Sequence, residues 1–171
     1  MAQFKKPEKA LLLMAVMHSS KASLDRAMAE LIKKFGPVST QSKEFDFTKF
    51  TQYYNPEMGK KQIKKYVVFE KLIDRSKLAD IRLFTQKLEE KLSKNKKRTV
   101  NIDPGYITKE AVILGTLKER AHKIYLGKGV FADLQALFGK NELRTFDYTF
   151  ADLKENAEFF MHVRKDFLLK R

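Results

Sequence analysis

Apolar residues along this chain change spacing several times, and each change predicts an element. Ala10-Leu11-Leu12-Leu13-Met14-Ala15-Val16-Met17 is unbroken, flanked by Lys9 and by His18-Ser19-Ser20. It is far shorter than the ~20 residues of a membrane span, and reads as a buried strand leading into a helix. Leu24, Ala27, Met28, Leu31, Ile32 and Phe35 then recur at helical spacing, with Ser23 as the expected N-cap and Gly36-Pro37 as the stop. Glu44-Phe45-Asp46-Phe47-Thr48 alternates like a half-buried strand, and Tyr53 to Gly59 is rich in turn formers. Tyr66 to Leu72 has strand composition. Asp74 or Ser76 caps a second helix whose apolar face is Leu78, Ile81, Phe84, Leu88 and Leu92, with Lys87, Glu89, Glu90 and Lys91 off that face.

Ser93 to Arg98 is polar and reads as a connector. Thr99 to Ile102 makes a short strand ended by the turn chemistry of Asp103-Pro104-Gly105, and Thr108 caps a brief helix running to Leu117. Ala121–Leu126 and Val130–Phe138 form a hairpin through Gly127-Lys128-Gly129, where glycine supplies positive φ. Arg144 to Tyr148 is a last strand. A final helix starts near Asp152, with Leu153, Phe160, Val163 and Phe167 on one face and Lys165, Lys170 and Arg171 near its end, where the helix dipole favours cations. This order predicts one α+β domain over 1–171 with a mainly antiparallel mixed sheet. It has a ferredoxin-like βαββαβ start, a C-terminal hairpin and long helices packed on one face. Residues 1–9 read as a flexible basic N-terminus.

Composition adds limits. With no Cys among 171 residues, disulfides and thiolate chemistry are excluded. Lys5, Lys6 and Lys9 before the first apolar run outline a short signal peptide, but Glu8 interrupts the basic flank and no A-x-A-like site follows, so the expected location is the cytoplasm. A formal net charge of +14 makes a field that attracts polyanions without choosing among RNA, nucleotide or another acidic partner. The same charge also suits a solvated lysine surface.

The most distinctive stretches are Asn101-Ile102-Asp103-Pro104-Gly105-Tyr106 and His122-Lys123-Ile124-Tyr125-Leu126-Gly127, with Asp46-Phe47-Thr48, Tyr53-Tyr54, Glu57-Met58-Gly59 and Phe69-Glu70-Lys71-Leu72-Ile73. Over essentially its whole length the chain resembles the prokaryotic domain of unknown function 4416 family. It departs near the end: Tyr148-Thr149-Phe150-Ala151-Asp152-Leu153 stands where many relatives have Trp-Thr-Tyr-Pro-Asp-Tyr. The resemblance implies the fold and a prokaryotic cytoplasmic setting, and carries no activity. Some relatives bear a GTP-binding label, yet no Gly-x-x-x-x-Gly-Lys-Ser/Thr loop and no Asn-Lys-x-Asp string occurs here.

Asp103, at the end of a strand, suits an acid, a base or a metal ligand, or simply an Asx turn. His122 suits a general base or phosphate contact, or a structural pair with a carboxylate. His18 would share a cleft with Asp103 if their strands adjoin, and His162 reads as a surface residue. No metal or cofactor signature is present; Asp46, Glu70 and Asp103 are the carboxylates left for a weak Mg²⁺ site. Tyr53 and Tyr54 with Lys60, Lys61, Lys64 and Lys65 interleave aromatic faces and cations as nucleic-acid binders do, and Lys97 and Arg98 add a second basic run. The leading expectation is non-enzymatic binding of RNA or a nucleotide by these residues. The alternatives are a small enzyme for a phosphorylated or anionic metabolite, with Asp103 and His122 as acid–base pair and Tyr106 or Tyr125 orienting substrate, and a protein-interaction domain of unknown oligomeric state.

Overall fold

The computed structural model describes Met1 and residues 3–169; Lys170 and Arg171 lie outside the described residues. The elements are β1 (Ala10–His18), α1 (Lys21–Phe35), β2 (Val38–Gln41), β3 (Phe45–Asp46), α2 (Asn55–Met58), β4 (Ile63–Ile73), α3 (Leu78–Leu92), β5 (Val100–Ile107), β6 (Ala111–Thr116), β7 (Ile124–Gly127), β8 (Val130–Phe138), β9 (Leu143–Thr145), α4 (Ala151–Glu155) and α5 (Ala157–Leu169). Together they form an α+β fold on one nine-stranded sheet of order β2-β4-β1-β5-β6-β8-β7, with β3 beside β4 and β9 beside β8. Every strand pair is antiparallel.

β1 is apolar from Ala10 to Met17 because both of its faces are covered. Leu12, Met14 and Val16 pack under α1 and α3 with Leu24, Leu31, Ile81 and Leu88. Leu13 and Ala15 point the other way, into a core that contains Tyr66, Val68 and, from α4 and α5, Leu153, Phe160 and Val163. α1 and α3 thus contribute to one core cluster, and α4 and α5 to the other. Burying each of these Leu or Phe side chains contributes roughly 1.5–3 kcal/mol.

Several expected boundaries move, each for a local reason. Ser20, not Ser23, caps α1, its side chain accepting the Ser23 N–H, and Gly36 at φ 90 ends the helix. Asp74 caps the short turn before α3 by accepting from Ser76. The expected strand at 44–48 is only the two residues of β3, since Asp46 turns back to accept the Thr48 N–H and hydroxyl. β4 starts earlier than Tyr66 and includes Lys64 and Lys65. Residues 108–117 form no helix: Thr108 Oγ1 accepts from Glu110 and Ala111 and so caps a tight turn into β6, whose Val112-Ile113-Leu114 favour strand. The final helix is broken at Asn156, whose amide donates to the Asp152 carbonyl.

The expected turn at Asp103-Pro104-Gly105 lies inside β5. β1 pairs with β5 along 100–107, but β6 pairs with it only at Gly105, Tyr106 and Ile107 before turning away to follow β8. Pro104, which has no N–H to give, falls just outside that short ladder. A Cβ at Gly105 would meet the Ile113 carbonyl oxygen at 2.3 Å, so only glycine lets β6 approach here. The sheet therefore forks, and among the described residues the outer edge of 100–104 has no strand partner on the β6 side.

Candidate functional site

The fork opens into a cleft of about 870 Å³. Asn101 and Asp103 from β5, Thr116 to Lys118 after β6, and Asp133 from β8 line it beside Arg82 and Glu89 of α3. The loop from Phe47 to Tyr54 and the turn holding Tyr148 and Phe150 add aromatic walls.

At the floor, α3 supplies what the missing strand would have supplied. Glu89 accepts the Ile102 N–H at 2.6 Å and Arg82 Nη1 reaches the Ile102 carbonyl at 3.4 Å, so side chains complete this backbone edge. Burial pushes the Glu89 carboxyl up to about 7, with Arg82 opposing and Asp103 reinforcing the rise. Beside it, Arg98 grips Glu57 through two bonds of 2.6 and 2.7 Å and donates to Asn101 Oδ1 at 2.6 Å. The Asn101 amide in turn donates to Asp103 Oδ2 at 2.8 Å. The Glu57 pairing holds the Arg98 guanidinium above its ordinary range and Glu57 below its own. Burial, with Asp103 nearby, raises the Tyr54 phenol to about 12, so it stays a neutral hydroxyl.

One wall is a closed ionic cluster. Lys64 Nζ lies 2.6 Å from Asp152, the Tyr66 hydroxyl donates to the same carboxylate at 2.6 Å, and Phe47 lies under the ammonium at 4.6 Å. The opposite wall carries His122, stacked on Tyr148 with ring centres 3.8 Å apart and its Nε2 3.4 Å from Asp133 Oδ1. Asp133 is shared with Lys123 at 3.0 Å and Gln135 at 2.8 Å, which fixes its orientation. At the mouth, Lys118 sits over the Tyr53 ring and Arg120 is exposed. The arrangement offers stacking faces, exposed cations, a carboxylate-held imidazole and a buried carboxyl that titrates near neutrality.

Of the residues singled out from sequence, Asp103, His122, Tyr53, Tyr54, Lys64 and Arg98 line this one cleft. The partner within ion-pair reach of His122 is Asp133. Lys65 alternates to the other face of β4, buried against Gln41 and Glu44. Lys60, Lys61 and Lys97 are exposed outside the cleft. Tyr125 is exposed on the edge strand β7, where its hydroxyl accepts the Gly129 N–H, and Tyr106 lies on β5 outside the cleft. β1 and β5 do adjoin, but strand alternation from Ala15, the partner of Asp103, sends His18 to the opposite face; it is buried, and neither ring nitrogen has a hydrogen-bond partner among the described residues. His162 is exposed and lies 3.3 Å from Asp166.

Among the described residues no three His, Asp or Glu side chains gather as a metal-holding group. No helix among them is long and apolar enough to cross a membrane. Sequence reasoning passed over Arg82, Glu89, Asp133 and Asp152. Arg82, Thr85 and Glu89 fall in one row of α3 and all three are buried, which the polar composition of that row does not announce.

The chain belongs to the family described as a domain of unknown function (DUF4416), whose sequence profile matches residues 8–167. No curated protein and no solved structure matches it.

Proposed function

We propose that this member of the family binds a small phosphorylated or otherwise anionic metabolite in the fork cleft and acts on it with Asp103 and His122 as acid–base groups. The observation that carries the reading is convergence: residues from four separate stretches of sequence, chosen for their chemistry, line one cleft with aromatic walls and cations at its mouth. Lys118 and Arg120 meet the anion, Tyr53 and Tyr148 offer faces to a planar group, and Asp133 holds the His122 imidazole in place. We also read the first half of the chain as ferredoxin-like; the order β5-β1-β4-β2 with α1 and α3 as crossovers supports this.

A second reading has its own support. The Glu57–Arg98 ion pair ties the segment leading to Lys60 and Lys61 to the one carrying Lys94, Lys96 and Lys97. These exposed lysines make a basic outer surface on which an RNA would bind by phosphate contacts. One experiment separates the two. Calorimetry with a panel of nucleotides and sugar phosphates is run on the wild type, on Lys118→Ala/Arg120→Ala, and on Lys60→Ala/Lys61→Ala/Lys97→Ala. The cleft reading expects the double variant to weaken the best ligand by about tenfold or more and the triple variant to leave it unchanged. Loss in the triple variant alone, with salt-sensitive RNA binding, favours the outer surface.

A further inference from the structure

We propose that Arg82 and Glu89 form an oxyanion seat at the floor of the cleft, where a carboxylate or phosphate oxygen of the ligand takes the free Nε–H of Arg82 and is bound together with one proton held on Glu89. This deepens the cleft reading and rests on it.

Arg82 is the most conspicuous unfinished group in the cleft. Its side chain is 8% exposed, and its Nη1 donates to Thr85 Oγ1 at 2.9 Å and to the Ile102 carbonyl at 3.4 Å. Its Nε is buried with no acceptor among the described residues. The guanidinium remains charged at any relevant pH, and a buried N–H without an acceptor is destabilising. That nitrogen is closed to solvent, so an anion entering the cleft brings the missing acceptor as the neighbouring side chains move aside.

Glu89 does not supply it. Its Oε1 is committed to the Ile102 N–H and stands 3.7 Å from Arg82 Nη1, while its Oε2 stands 3.7 Å from Arg98 Nη1. Both gaps exceed hydrogen-bond length. Arg98 is already occupied by Glu57. The charged groups around this point are thus Arg82 and Arg98 against Glu57, Glu89 and Asp103, with the neutral Tyr54 hydroxyl beside them. An incoming anion meets a surplus of negative charge while Glu89 is ionised. With a proton on Glu89 the surplus is gone, and the carboxyl becomes a donor. Because burial pushes this carboxyl up to about 7, the proton is at hand near neutral pH. Anion uptake and proton uptake are then linked, and affinity falls as pH rises through that value.

Sulfate and acetate keep one charge state between pH 6 and 8 and serve as probes of the full-length protein. Calorimetry in buffers of different ionisation heat counts protons, and amide shifts locate the anion. The seat predicts uptake of a proton near pH 7 and binding about tenfold weaker at pH 8 than at pH 6. Preference for sulfate marks a phosphate-like ligand, and preference for acetate a carboxylate. Glu89→Gln should bind with no proton uptake and no pH dependence. Arg82→Lys keeps the charge without the planar fork and should weaken binding about tenfold at both pH values, its unfolding midpoint reporting that it is folded. Binding at the cleft with equal affinity at both pH values overturns the seat and leaves the cleft reading intact. Binding of neither probe also overturns the seat, and the metabolite panel then decides separately whether the cleft reading stands.

Discussion

Along one wall of the cleft, Asp152 receives both the Lys64 ammonium and the Tyr66 hydroxyl at 2.6 Å; at the floor, Glu89 stands 3.7 Å from each of two arginines. Both clusters are buried and charged, yet only the first has its partners in bonding range. Desolvating a charge is tolerated when geometry and hydrogen bonds complete it, and the Asp152 cluster meets that condition from within the chain. The Arg82–Glu89 cluster leaves an N–H unfilled and a carboxyl near its titration point. The first anchors the sheet to α4, and the second keeps room for something to arrive.

Removing one charge from each should therefore have effects of opposite sign. Asp152→Ala strands the Lys64 ammonium and the Tyr66 hydroxyl, and should destabilise the protein by about 3–5 kcal/mol in denaturant titrations at pH 7. A loss below about 1 kcal/mol would show that the cluster does not anchor the fold.

Glu89→Gln should instead stabilise at alkaline pH. The carboxyl sits at about 7 in the folded chain against an ordinary 4.5, so the folded state holds its proton longer. Stability is consequently lost as pH rises between those values, and a permanently neutral side chain avoids the loss. The expected gain at pH 8 is about 3 kcal/mol, vanishing near pH 4; equal unfolding midpoints of wild type and variant at pH 8 contradict it.

His18, on the other face of the sheet, sharpens the contrast with the smallest effect. Burial lowers its pKa below 6.5, only partly offset by Glu44. Its contribution is intact above pH 6.5 and falls as acid protonates the unfolded chain first. His18→Leu should flatten that acid-side slope, changing stability by less than about 1 kcal/mol at pH 7; an unchanged slope assigns the acid sensitivity elsewhere.

Helical spacing made α1 and α3 legible because each buries one continuous face, the unbroken apolar run marked the first strand because both its faces are covered, and the glycines at 127 and 129 marked the β7–β8 hairpin. Periodicity hid the fork. Asp103-Pro104-Gly105 has turn composition, and pairing with β1 along the whole of β5 and with β6 from Gly105 onward keeps it extended. Lys64 and Lys65 suit one exposed phosphate-binding run by composition, yet strand alternation sends them to opposite faces, each toward its own carboxylate. The Asp133 partner of His122 was recoverable: the register that pairs Ile124 with Ala132 brings Lys123 and Asp133 together, and His122 comes with them. Glu89 was assigned to the polar side of its helix, and no local pattern announces that its carboxyl reaches an unpaired strand edge.

Gly105 has a wider consequence than its size suggests. The five strands on one side of the molecule and the four on the other are joined edge to edge by a seam three residues long, and its first stitch holds because a methyl group is absent. Any larger residue there would push the seam apart from the cleft side, so a single added carbon threatens the continuity of the entire sheet.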